Sequence, residues 1–112
     1  MISKALIAAS TKPFILSILR RGENYGYQII QQVKDISGGK LEWSDGMLYP
    51  VLHRLEKGGL IRSMWKLSEM GRMRKYYAIT DIGIKEMEKV KNQWLDVHDA
   101  LTILWSQTVV VD

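Results

Sequence analysis

Apolar residues dominate the chain from Leu6 to Leu19, with Phe14, Ile15, Ile18 and Leu19 at helical spacing. Pro13 interrupts this run and predicts either a second helix beginning near Thr11 or one helix kinked there. Arg20-Arg21-Gly22 closes it, with basic side chains in the last turn and Gly beyond. A second helix is predicted from Asn24, a good cap, carrying Gly26, Ile29, Ile30, Val33 and Ile36 at the same spacing and ending at Ser37-Gly38-Gly39. After a short extended piece, Lys40 to Trp43, comes a third helix with clear punctuation. Ser44 caps its start, Asp45 suits the positive end of its dipole, and Gly58-Gly59 ends it. Leu48, Val51, Leu52 and Leu55 form its apolar stripe, which leaves Tyr49, Pro50, His53, Arg54 and Lys57 facing outward.

Beyond Gly59 the period falls from 3.6 to 2. Ile61, Ser63, Trp65 and Leu67 point one way, and Arg62, Met64 and Lys66 the other. Ser68 to Arg72 reads as a Gly-containing loop, and Arg74 to Ile79 as a second strand. One of Tyr76 and Tyr77 is expected in the core, as is at least one of Tyr25 and Tyr27 beside Gly26. Thr80 then caps a last helix of about 25 residues, roughly 37 Å long. Along it Met87, Val90, Trp94, Val97, Leu101 and Leu104 recur at steps of three and four, the 3.5-residue repeat of a helix seam. The order three helices, hairpin, long helix predicts a mainly α fold with a small β-hairpin (α+β): a winged helix-turn-helix over residues 1–79 and a C-terminal dimerisation helix and tail over 80–112. The last helix overshoots the head, so part of its seam, with help from the N-terminal helix, is expected to meet a second copy of the chain.

Charge sharpens this picture. The net charge of +4 is modest, but residues 1–80 carry 13 of the 16 basic residues and 6 of the 12 acidic ones, including every arginine. A basic body with a mildly acidic tail suits a polyanion-binding domain joined to a segment with another task. The absence of cysteine excludes disulfides and thiolate metal sites, and His53 and His98 lie too far apart in sequence to suggest zinc. No apolar run approaches the roughly 20 residues of a membrane span, and the short apolar run after Lys4 lacks a signal-peptide cleavage pattern. A cytoplasmic protein with no cofactor is expected. The chain has no glycine-rich phosphate loop after a strand and no nucleophile–base set at workable spacing, which argues against an enzyme. The competing reading is a winged helix used only for protein contacts, since fold does not dictate function; it would not need a basic wing. RNA recognition lacks a single-strand stacking platform.

A helix carried on a turn fits the major groove, about 12 Å wide, and shows its N-terminal half to base edges. The expected DNA-binding set is therefore Ser44, Tyr49, His53, Arg54 and Lys57 on the third helix with Arg72, Arg74 and Lys75 on the wing. Tyr49 offers a ring to thymine methyls and a hydroxyl to phosphate, and Arg54 suits the guanine edge unless it pairs with Glu56. Lys12 is a further candidate phosphate contact. Met87, Val90, Trp94, Leu101 and Leu104 are the expected dimer interface. A seam meeting its symmetry mate either closes as core or leaves a slot lined by Trp94, Val97 and His98.

Several short motifs occur together in order: Tyr25-Gly26-Tyr27, Gly46-Met47-Leu48-Tyr49-Pro50, Arg54-Leu55-Glu56 before Gly58-Gly59-Leu60-Ile61, Trp65, Gly71-Arg72-Met73-Arg74-Lys75-Tyr76-Tyr77, and Thr80 with Gly83. Each is weak alone, but the ordered set, from about Phe14 to Leu104, resembles the PadR family of transcriptional regulators. The resemblance implies a winged-helix homodimer that represses by binding promoter DNA and releases it on binding a small molecule. The single long C-terminal helix is similar to the short subfamily. Trp94 resembles the tryptophan with which the multidrug-sensing branch stacks flat aromatic effectors, although His98 stands where that branch has an acid. Met73 departs from the pattern, where many members carry Pro, and a looser wing tip is expected.

Overall fold

The computed structural model describes residues 1–106. Helix α1 spans Lys4–Arg20, β1 Asn24–Tyr25, α2 Gly26–Ile36, α3 Asp45–Lys57, β2 Ile61–Leu67, β3 Met73–Ile79 and α4 Asp81–Ser106. This is the α+β winged helix-turn-helix that the pattern predicts, with one strand more than expected. The tail over 107–112 lies outside the described residues.

Helix α1 is one element, with Pro13 inside it and Ser3 capping it by accepting from the Leu6 N–H. Proline costs the helix the bond to the Ala9 carbonyl, and Ala9 is exposed, so water can serve that oxygen. The Ser10 and Thr11 hydroxyls donate to the carbonyls of Ile7 and Ala8, both at 2.8 Å. The next helix begins at Gly26, not at Asn24. Asn24 and Tyr25 are instead drawn into the sheet, opposite Tyr77 and Tyr76 of β3, and the Asn24 side chain accepts from the neighbouring Tyr25 N–H. The result is a three-stranded antiparallel sheet of order β1-β3-β2. Pairing in the hairpin runs from Ile61↔Ile79 out to Leu67↔Met73. Met73 thus extends β3 by one residue beyond the expected start, since its N–H is free to join the ladder as a proline's is not.

The core collects the apolar faces that the periodicity marks. Ile15, Leu16 and Leu19 of α1, Ile29 and Val33 of α2, and Leu48, Leu52 and Leu55 of α3 are buried together with Trp43, Ile61 and Tyr77. Phe14 meets Trp43 edge to face at 5.8 Å. Tyr77 is therefore the core tyrosine of its pair.

The root of the wing and the start of α4 are joined at one point. The Thr80 N–H donates to the Leu60 carbonyl, its hydroxyl donates to Gly59 at 2.6 Å, and the same hydroxyl accepts the Gly83 N–H as the α4 cap. Gly83 lies so close to Leu60 that no side chain fits there. From this junction α4 crosses α1, where Met87 joins the head's core, and then leaves it; every residue from Lys91 to Ser106 is exposed. The chain is accordingly elongated, 64 × 29 × 22 Å. Among the described residues, no helix is long and apolar enough to cross a membrane.

Candidate nucleic-acid interface

Helix α3 presents its two faces as expected. Leu48, Val51, Leu52 and Leu55 are buried, while Ser44, Tyr49, His53, Arg54 and Lys57 are exposed. The Ser44 hydroxyl accepts the Met47 N–H, so its first duty is the helix cap. Arg54 does not pair with Glu56, because the Glu56 carboxylate instead accepts a 2.5 Å bond from the Ser63 hydroxyl and pins α3 to β2. Arg54, Lys57, Arg62, Arg72, Arg74 and Lys75 make no ion pair among the described residues. Cations without an acidic partner remain available to an external polyanion.

Tyr49 is half-packed. Its ring lies over Gly26 at the start of α2, so close that a Cβ there would meet the hydroxyl oxygen at 2.4 Å. A side chain at Gly26 would push the ring aside, so the glycine lets Tyr49, 44% exposed, rest against the start of α2. Burial, with Tyr49 and Glu56 adding to it, raises the Tyr77 hydroxyl above its usual range, so it stays protonated.

The wing separates its basic residues onto two faces. Lys75 lies opposite Trp65 on the face toward α3, its ammonium 5.7 Å from the Tyr77 ring. Arg74 is on the other face, its guanidinium stacked 4.4 Å from the centre of Tyr25, which in turn meets Tyr76 edge to face. The Arg74 Nε is buried without a hydrogen-bond partner. Lys66, on that same face, binds Glu23 and lies over Tyr76. Arg72 is exposed in the loop. The wing's cations therefore do not form one patch: Arg72 is exposed in the loop and Lys75 is on the α3 side, whereas Arg74 is held on the other face by its aromatic neighbour. Strand alternation could have separated Arg74 from Lys75 in advance, but β1, which supplies Tyr25, has no local signal. Lys12 is also committed, to Glu86 of α4 at 2.5 Å, and so is not a free phosphate contact. That bond, with the lysine's charge, holds the Glu86 carboxyl below its ordinary value.

The seam residues of α4 divide. Met87 is buried in its own protomer and Val90 is half-buried, while Trp94, Val97, Leu101 and Leu104 remain exposed. Trp94 stands between two grooves formed with α1. One, of ≈ 380 Å³, has Pro13, Phe14, Met87 and Leu95 in its walls. The other, of ≈ 520 Å³, has Leu6, Val97, His98, Leu101 and Trp105. The expected effector residues Trp94, Val97 and His98 thus share one wall. His98 lies beside Asp99 at 3.3 Å and Thr102 at 3.5 Å. Among the described residues, no cluster of three or more His, Cys, Asp or Glu could hold a metal.

A helix-turn-helix with a capped, outward-facing third helix and a basic wing defines the winged-helix class of DNA-binding regulators. Comparison with known proteins refines this. Residues 15–89 match the model of the transcriptional regulator PadR-like family. A PadR-like transcriptional regulator from Bacillus cereus strain ATCC 14579 is 31% identical, with a TM-score of 0.82 over 92% of this chain and 98% of that one. A transcriptional regulator from Clostridium thermocellum is 30% identical, with a TM-score of 0.81 over 91% of this chain and 96% of that one. The transcriptional regulator YqjI of Escherichia coli K12 is 30% identical over 79 residues, 70% of this chain but only 36% of its own length. The chain belongs to the PadR-like family of transcriptional regulators.

Proposed function

We propose that the chain is a homodimeric, sequence-specific repressor whose hold on promoter DNA is released by a small aromatic effector. The observation that carries the DNA reading is the set of cations without an acidic partner among the described residues, exposed Arg54 and Lys57 on α3 with exposed Arg72 and half-buried Lys75 on the wing, around the outward-facing ring of Tyr49. Tyr49 and His53 supply contacts to bases, and the wing cations supply phosphate contacts. Dimer formation is supported by the outer half of α4, where Trp94, Leu95, Leu101 and Leu104 remain exposed. An effector is supported by the groove that Trp94, Val97 and His98 share. Repression follows from the family resemblance.

The direct test is selection from a random duplex pool, followed by titration of the selected duplex against scrambled DNA at two salt concentrations. A preference of about a thousandfold is expected, with a log–log salt slope of roughly −5 to −9 for a dimer. Weak, equal binding to both duplexes would instead favour a protein-contact module. Planar aromatic compounds should quench Trp94 emission and lower DNA affinity. Unchanged quenching in Trp94→Ala would refute that assignment.

A further inference from the structure

The face of the wing that carries Lys75 is not a charged surface throughout. Its two outer rungs pair Trp65 with Lys75 and Leu67 with Met73, so these four side chains form one contiguous block. Trp65 is 65% exposed, Leu67 67% and Met73 57%, with Met70 more open still at the tip. The inner rungs of the same face explain the pattern. Ser63 and Tyr77, and then Ile61 and Ile79, lie against the head, and Ser63 is bonded to Glu56 of α3. The hairpin runs two rungs beyond the helices that cover it, and the apolar alternation continues past the point where the protein can bury it. A patch of this kind marks a contact surface.

The surroundings select the occupant. Lys75 lies within the block and Arg72 at its end, both without ion-pair partners among the described residues. The nearby acids Glu56 and Glu23 are already engaged, with Ser63 and Lys66, which leaves Glu69 as the loop's one acid. An apolar strip flanked by cations complements the edge of a duplex, where sugars and base edges lie between two rows of phosphates. It does not complement itself: a two-fold contact between copies would set Lys75 and Arg72 against like charges. The face also continues the surface on which α3 packs, so a duplex against α3 passes along it.

We propose that this face is an apolar wedge: Leu67 and Met73 enter the groove beside the one that α3 reads and part a base step. Trp65 lies on the adjoining sugars, and Lys75 and Arg72 hold the flanking phosphates. Binding therefore kinks the DNA, and operator choice depends on how easily that step unstacks. The proposal rests on the DNA reading above and adds the wedge to it.

The test uses the full chain and the selected duplex, with 2-aminopurine placed at successive positions outside the α3 site. Wild type should raise the probe's emission about threefold or more at one or two adjacent positions, as unstacking requires. The double variant Leu67→Ser/Met73→Ser should abolish that rise and weaken binding about tenfold, with the salt slope unchanged because the phosphate contacts remain. Both residues are exposed, so the variant's thermal melt should match wild type. Flat emission at every position, or an undiminished rise in the variant, would overturn the wedge while leaving the DNA reading intact. Loss of self-association by the variant in sedimentation without DNA, together with unchanged DNA affinity, would reassign the face to a second copy. If wild type bound no selected duplex, the functional reading itself would fall.

Discussion

Gly83 sits in the first turn of a long helix, where substitution by alanine ordinarily adds up to about 1 kcal/mol of stability. Here the opposite is expected. A Cβ at this position would lie 2.0 Å from the Leu60 carbonyl oxygen and 2.7 Å from the Ile79 Cγ1. An ordinary carbon–oxygen contact needs about 3.3 Å, so either the backbone of the wing root or that of α4 must move by more than an ångström. Overpacking of this kind costs about 1–3 kcal/mol. The shift also strains the 3.0 Å bond from the Thr80 N–H to the same Leu60 oxygen, worth about another 1 kcal/mol. After the helix-propensity gain, Gly83→Ala should be destabilising by about 1–3 kcal/mol, a fall in Tm of roughly 4–20 °C for a domain of this size. Thermal unfolding at one fixed protein concentration is the assay, since self-association would shift Tm by mass action. Gly46→Ala is the control. Its Cβ would meet only the Ser44 hydroxyl, at 3.9 Å, so it should be neutral or slightly stabilising. A Gly83→Ala Tm within about 2 °C of wild type, less than half the shift expected per kcal/mol, would refute the argument from close approach.

Gly26→Ala meets only the mobile end of Tyr49, so its cost in stability should stay below about 1 kcal/mol. DNA affinity should nonetheless fall as far as in Tyr49→Ala; retention of wild-type affinity would show that the direction of Tyr49 is unimportant. Lys75→Ala should weaken binding about equally across a panel of operator variants and reduce the salt slope by about 1 per protomer, whereas His53→Ala should blur preference at particular base pairs. Identical profiles for the two would contradict that division of labour. Because the Glu86 carboxyl is held below its ordinary value by Lys12, its contribution is present above the unfolded glutamate value and lost as pH falls through the lowered folded value. Both partners are partly exposed, so Glu86→Gln should cost only about 0.5 kcal/mol near neutral pH. Melts of the two proteins should converge in acid, and a gap that widened there would reverse the assigned sign.

Much of the fold was legible in the sequence because its signals are local. The Leu48–Leu55 stripe, the Ser44 and Thr80 caps, the change of period after Gly59 and the length of the last helix all lie within a few residues of the structure they specify. The outward face of the third helix was legible for the same reason, since burying its leucines leaves Tyr49, His53, Arg54 and Lys57 outside. Other features needed partners distant in sequence. Asn24 reads as a helix cap until β3 arrives to pair with it, and Lys12 reads as a free cation until Glu86 crosses above. Arg74 and Lys75 look alike as neighbours, yet one stacks on Tyr25 and the other faces α3. Alternation put Ile61 and Trp65 on one face of β2, but only the reach of the helices decided that Ile61 is buried and Trp65 is not. Periodicity and capping are properties of neighbouring residues and are written in the chain. Burial, charge pairing and the close approaches at Gly26 and Gly83 depend on which surfaces meet, so only the tertiary structure decides them.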